Sequence, residues 1–129
     1  MCSKSKFVLI RQMIFSSLTL LSSSVVYSAQ KTVMCQMQGL KQPISFKTPD
    51  KMGDLPNIDF DYPVNVTRFS LRDDNLLVVA MDQEEKDRPR IFISAQLNPQ
   101  KQKYLGQFMT DFGGNELQLD NGIVSCVVK

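Results

Sequence analysis

Asp59 and Asp61 are the two side chains whose types and spacing come nearest to a catalytic device. Carboxylates two residues apart share one face of an extended strand, and a close pair of carboxylates can divide acid and base work as glycosidases do. The same alternation, Ile58-Asp59-Phe60-Asp61-Tyr62-Pro63, is that of an amphipathic edge segment with a solvated acidic face, and this is the reading adopted. The chain has no histidine. That removes the usual general base, the usual metal ligand, and the Ser-His and Cys-His nucleophile systems. Calcium needs only oxygen ligands, and Asp50, Asp54, Asn57, Asp59 and Asp61 crowd one stretch, but Lys51 sits among them and the spacing follows no known binding loop. Gly113-Gly114-Asn115 lacks the following helix that a phosphate cradle requires. No metal and no cofactor are expected, and a non-enzymatic role is.

Cysteine usage points to export. Lys4, Lys6 and Arg11 open the chain with no acidic residue before Asp50, and an apolar and hydroxyl-rich run from Met13 to Val26 leads to Ser28 and Ala29. A basic start, an apolar middle and a small-residue exit describe a signal peptide over residues 1–28, followed by one domain over 29–129. The rival, a retained anchor, is weakened by Ser16, Ser17 and the Ser22-Ser23-Ser24 triplet, which break the run that a span of about 20 apolar residues needs. Cys2 leaves with that leader. Cys35 and Cys126 then form an even pair near the two ends of the domain, expected as a structural disulfide in a periplasmic or secreted protein.

Loss of the leader also changes the charge. The whole chain carries 15 basic and 13 acidic residues; without Lys4, Lys6 and Arg11 the balance is 12 to 13, or −1. Basicity of the precursor therefore argues for neither a nucleic-acid nor a membrane partner. Arg88, Arg90, Lys101 and Lys103 make at most a weak anion patch, which Glu84, Glu85 and Asp87 counter. Asn65-Val66-Thr67 fits the glycosylation triplet, which matters only in a pathway with that machinery.

The elements that must position these residues are strands. Val33, Cys35 and Met37 alternate, as do Ile44 and Phe46, then Thr67, Phe69 and Leu71, then Ile91, Ile93, Ala95 and Leu97. Residues 76–81 are continuously apolar, which suits a strand buried on both faces or a central one. Tyr104, Gly106, Phe108, Thr110 and Phe112 alternate over a long strand. Leu117 and Leu119 suggest a short one, Asp120-Asn121-Gly122 a type I′ hairpin, and Val124, Cys126 and Val128 a closing strand. The sum is an all-β fold, a small antiparallel barrel or sandwich of about eight short strands, with the first and last joined by the disulfide. Pairing of those two strands would close the sheet, which favours the barrel.

No motif names a reaction, so recognition by shape remains. Residues 48–63 form the longest irregular segment, and long ordered loops on rigid scaffolds carry function disproportionately often. Asp59, Phe60, Asp61 and Tyr62 are its candidate binding residues, mixing aromatics with acids in a way that suits a basic protein partner. The expectation is an envelope binding protein, an inhibitor or immunity protein against a basic envelope-acting enzyme. Two rivals stay open: Ile58, Phe60 and Tyr62 cap the core, or the row Tyr104, Phe108 and Phe112 lines a cavity for a small apolar ligand.

Overall fold

Inside–outside alternation along most of each strand builds a single sheet. A computed structural model describes residues 30–129, and the leader expected over residues 1–28 lies outside them. Seven strands follow in order: β1 (Thr32–Met37), β2 (Ile44–Lys47), β3 (Val64–Arg72), β4 (Asn75–Asp82), β5 (Pro89–Asn98), β6 (Lys103–Asp111) and β7 (Leu119–Val128). All neighbours are antiparallel, in the spatial order β2-β1-β7-β6-β5-β4-β3. The fold is all-β, as the patterning indicates, and there is no helix among the described residues.

The inner face collects Val33, Cys35 and Met37 from β1, Ile44 and Phe46 from β2, and Leu76, Val78 and Ala80 from β4. Ile91, Ile93 and Ala95 of β5, Phe108 of β6, and Val124 and Cys126 of β7 complete it. Each fully buried Val, Leu or Ile contributes about 1.5–3 kcal/mol relative to exposure, so this shared face is what curls the sheet. Leu77, Val79 and Met81 point the other way and are only half-buried. The apolar run 76–81 is therefore a strand with one core face and one outer face, flanked by β3 and β5.

Cys35 and Cys126 are directly opposed on β1 and β7, with Cα atoms 4.0 Å apart, and they form the disulfide. That pairing does not close a barrel. β2 extends the sheet beyond β1, so the two free edges are β2 and β3, and the result is a curled half-barrel. The edges meet through side chains instead. Phe46 and Phe69 make an edge-to-face pair with centroids 5.8 Å apart, and Ile58 of the 48–63 segment is buried in the same core.

One turn differs from the expected one, and another, at Arg72-Asp73-Asp74-Asn75, is the hairpin connection its residues suggest. Asp120-Asn121-Gly122 is not a hairpin: all three lie inside β7, opposite Thr110, Met109 and Phe108, and the strand is continuous from Leu119. The reversal between β6 and β7 is made by residues 112–118, which leaves 120–122 in the ladder and gives seven strands. Gly122 is small for another reason, because a Cβ there would press on Gln38 Oε1 at 2.9 Å and on the Phe108 ring at 3.4 Å. The two-residue turn with positive φ is at Asp73 (54°) and Asp74 (63°), between Arg72 and Asn75. Type I′ geometry needs positive φ at both central positions, and Asp tolerates it better than most residues.

Candidate functional site

The 58–62 segment is held from behind by its own aromatic residues. Phe60 packs against Phe112 with centroids 4.8 Å apart, and the Arg90 guanidinium lies 4.0 Å above the Tyr62 ring. Both side chains are half-buried, whereas Asp59 and Asp61 are exposed. Ile58, Phe60 and Tyr62 face the body, the capping arrangement rather than an exposed aromatic contact, and the two carboxylates face solvent. Neither Asp59 nor Asp61 has an ion-pair partner among the described residues.

The anchor beneath Tyr62 is a buried ionic cluster that the sequence reading placed on the surface. Arg88 and Arg90 are not a solvent-facing anion patch with Lys101 and Lys103; they are 8 % and 2 % exposed and bonded to carboxylates. Arg88 Nε donates to Asp111 Oδ2 at 2.7 Å and its Nη2 to Asp111 Oδ1 at 3.2 Å, a bidentate fork. Its remaining donors reach the carbonyls of Gly113, Gly114 and Glu116 and the exposed carboxylate of Glu85. Arg90 Nε donates to Asp82 Oδ2 at 2.8 Å, and its Nη1 donates to the carbonyls of Asp111 and Gly113 at 2.9 and 2.7 Å.

The carboxylates are saturated in turn. Asp111 Oδ1 accepts from the N–H groups of Gly113 and Gln118, and Asp82 Oδ1 accepts from those of Glu84 and Glu85. Four side chains therefore tie the 83–88 turn and the 112–118 loop to one another, and Arg90 extends the tie to Tyr62. Gly113 is required inside this knot, since a Cβ there would collide with the Glu116 carbonyl oxygen. The spacing Arg88-Pro89-Arg90 with Asp82 before it and Asp111 at a strand end was readable as charge. Nothing in one sequence shows that the strands bury all four.

Acid should dissolve this cluster. Asp111 is held far below the usual carboxylate range, first by the Arg88 hydrogen bond and then by the Gln118 and Gly113 N–H groups, against the opposing effect of burial. Asp82 is lowered as well, first by the Glu85 N–H and then by Arg90 and the Glu84 N–H. An unfolded chain protonates such carboxyls near pH 4. Below about pH 4 the unfolded state thus binds protons that the folded state refuses, and stability falls as pH falls; above about pH 5 the contribution is complete. Thermal melting should be flat from about pH 5 to 8 and drop progressively below about pH 4. A melting temperature unchanged into strong acid would contradict the cluster as described.

The other sequence candidates fall apart spatially. Of the aromatic row, Phe108 is in the core and Tyr104 is half-buried at its margin. Phe112 follows β6 and packs on Phe60, and none of the three lines the open cavity between β3 and residues 48–54. No group of three or more acidic or cysteine side chains among the described residues is placed to hold a metal ion. No helix among them is long and apolar enough to cross a membrane. No family model, no curated protein and no solved structure matches the chain.

Proposed function

We propose that this chain is an exported, non-enzymatic binding protein of the cell envelope that recognises a basic protein partner through the acidic face of residues 58–62. The observation that carries this reading is the division of labour in that segment. Phe60 and Tyr62 are spent on anchoring, so Asp59 and Asp61 stand outward on a braced backbone and compensate no charge of their own protein. An acidic ridge that is already ordered loses little freedom on binding, which favours affinity. A disulfide between adjacent strands suits an oxidising compartment. A lysozyme-like enzyme acting on the envelope is the specific partner to test, with this chain as its inhibitor or immunity protein.

The test is titration of a basic lysozyme with the protein and with its Asp59→Asn/Asp61→Asn variant. Charge pairing across an interface should make binding weaken with salt, and the double variant should bind about tenfold more weakly. Its melting temperature should match the parent, because both carboxylates are exposed and unpaired among the described residues. Unchanged affinity in the variant would remove the 58–62 segment from the interface. Substitution of Phe60 or Tyr62 is a poorer test, since either would disturb the anchor as well.

A further inference from the structure

The half-barrel leaves a seam, and the seam has a chemistry opposite to that of the acidic ridge. Between the free edge of β3 and residues 48–54 lies an open cavity of about 520 Å³, within the 300–1,000 Å³ range of small-ligand clefts. Arg68 and Arg72 line it from β3, and Lys31 and Lys51 line it from the opposite wall, with Asp54 the one carboxylate in the lining. All four cations are exposed, and none has an ion-pair partner among the described residues. The cavity is apolar beneath them: Phe69 and Leu71 are half-buried there, and Met52, 91 % exposed, overhangs it.

Arginines and a bulge on an edge strand are a common guard against strand-to-strand aggregation, and β3 has both, with the bulge between Val66 and Arg68. That explanation covers Arg68 and Arg72 but not Lys31 and Lys51, which belong to the other wall and guard no part of β3. Positive charge on both sides of an apolar cleft selects a ligand that carries an anion and a hydrocarbon together. A bare anion would leave the Phe69–Leu71 surface unused, and a neutral chain would gain nothing from the cations. A bilayer needs a displayed flat face, whereas these cations line the two sides of one cavity.

We propose that this seam binds a single-chain anionic amphiphile, an alkyl chain bearing one carboxylate-type headgroup, taken up as a monomer. The headgroup lies between Arg68 and Arg72 on one wall and Lys31 and Lys51 on the other, and the chain lies over Phe69, Leu71 and Met52. This site is separate from the 58–62 ridge and does not depend on it.

Decanoate below its micelle concentration is the probe, followed by amide proton–nitrogen correlation spectra of the purified protein. Saturable shifts should appear at Gly53, Phe69 and Leu71 and leave Asp59 to Tyr62 unmoved. Arg68→Gln/Arg72→Gln should keep the parent's spectrum in the absence of ligand and weaken binding about fivefold or more, as expected for two exposed charge contacts. Equal affinity for decyltrimethylammonium, which has the chain but the opposite charge, would overturn the proposal. So would equal shifts from acetate, which has the headgroup alone, or tighter binding at the same amides by an extended acidic peptide, which would make β3 a strand-addition edge.

Discussion

Asp111→Asn should lower the free energy of unfolding by about 3–5 kcal/mol, the cost of breaking a buried ion pair from one side. Asp111 is fully buried, and its carboxylate is the counter-charge to the Arg88 fork. An amide in its place presents one neutral acceptor and an NH₂ group that cannot accept, so the guanidinium keeps only the exposed Glu85 carboxylate as counter-charge. A domain near 100 residues has only about 5–15 kcal/mol of stability in total, so this substitution should bring it close to unfolding at room temperature. Urea-induced unfolding of parent and variant measures the difference. A loss below about 1 kcal/mol would show that water reaches the pair and that the cluster is effectively a surface one.

A second measurement separates the pair from its surroundings. Removing both charges, as in Asp111→Asn/Arg88→Met, should be less damaging than the sum of the two single variants, because no orphan charge remains. Additive losses would mean that Arg88 matters chiefly through the carbonyls of Gly113, Gly114 and Glu116, which it holds whether or not Asp111 is charged. Asp82→Asn should cost less than Asp111→Asn, since Arg90 would keep its bonds to two backbone carbonyls and its contact with Tyr62.

Period-two patterning made the strands readable because each has one buried face, and a face is a local property of sequence. Val33-Cys35-Met37 and Ile91-Ile93-Ala95 are buried as their alternation requires. Failures occur where long-range contacts override a local signal. Asn121-Gly122 is a strong turn pair, yet Arg88 and Asp111 tie residues 112–118 into the reversal, and 121 and 122 lie in the ladder opposite β6. Arg88 and Arg90 read as surface charge because a basic pair among acids is usually solvated. Their burial depends on Asp111, more than twenty residues away, which no spacing rule connects to them. Half-barrel rather than barrel is likewise a matter of β2, whose place outside β1 follows from the β1–β2 hairpin and not from the cysteines. Of the candidate site, the outward acids of 58–62 were legible from alternation, whereas Phe60 and Tyr62 read equally as contact residues or as caps on the core. The cationic seam was not legible, because Lys31 and Arg68 come to line one cavity only once the sheet has curled.

Breaking the Cys35–Cys126 bridge should have an effect of similar size, and a more local one at first. The bridge spans 91 residues, and the chain-entropy model assigns roughly 4–5 kcal/mol to closing a loop near that length. For a domain this size about 1 kcal/mol moves the melting temperature by roughly 4–8 °C, so the reduced protein should melt at least about 15 °C lower. Cys35→Ala/Cys126→Ala adds the loss of two buried sulfur atoms to the same direction; reduced parent protein, which keeps them, isolates the bridge. Both sulfurs belong to fully buried residues, so a thiol reagent reaches them only through opening, and reduction of the native protein should be slow and accelerate with mild denaturant. Opening has an obvious place to start. β1 and β2 are joined to the remaining five strands by ladder bonds only along the β1–β7 pairing, where the disulfide sits. Amide hydrogen exchange after reduction should therefore rise first in Thr32–Met37 and Ile44–Lys47, while β4, β5 and β6 keep their protection. Uniform loss of protection across all seven strands, or an unchanged melting temperature, would show that the inner face alone holds β1 and β2 in place.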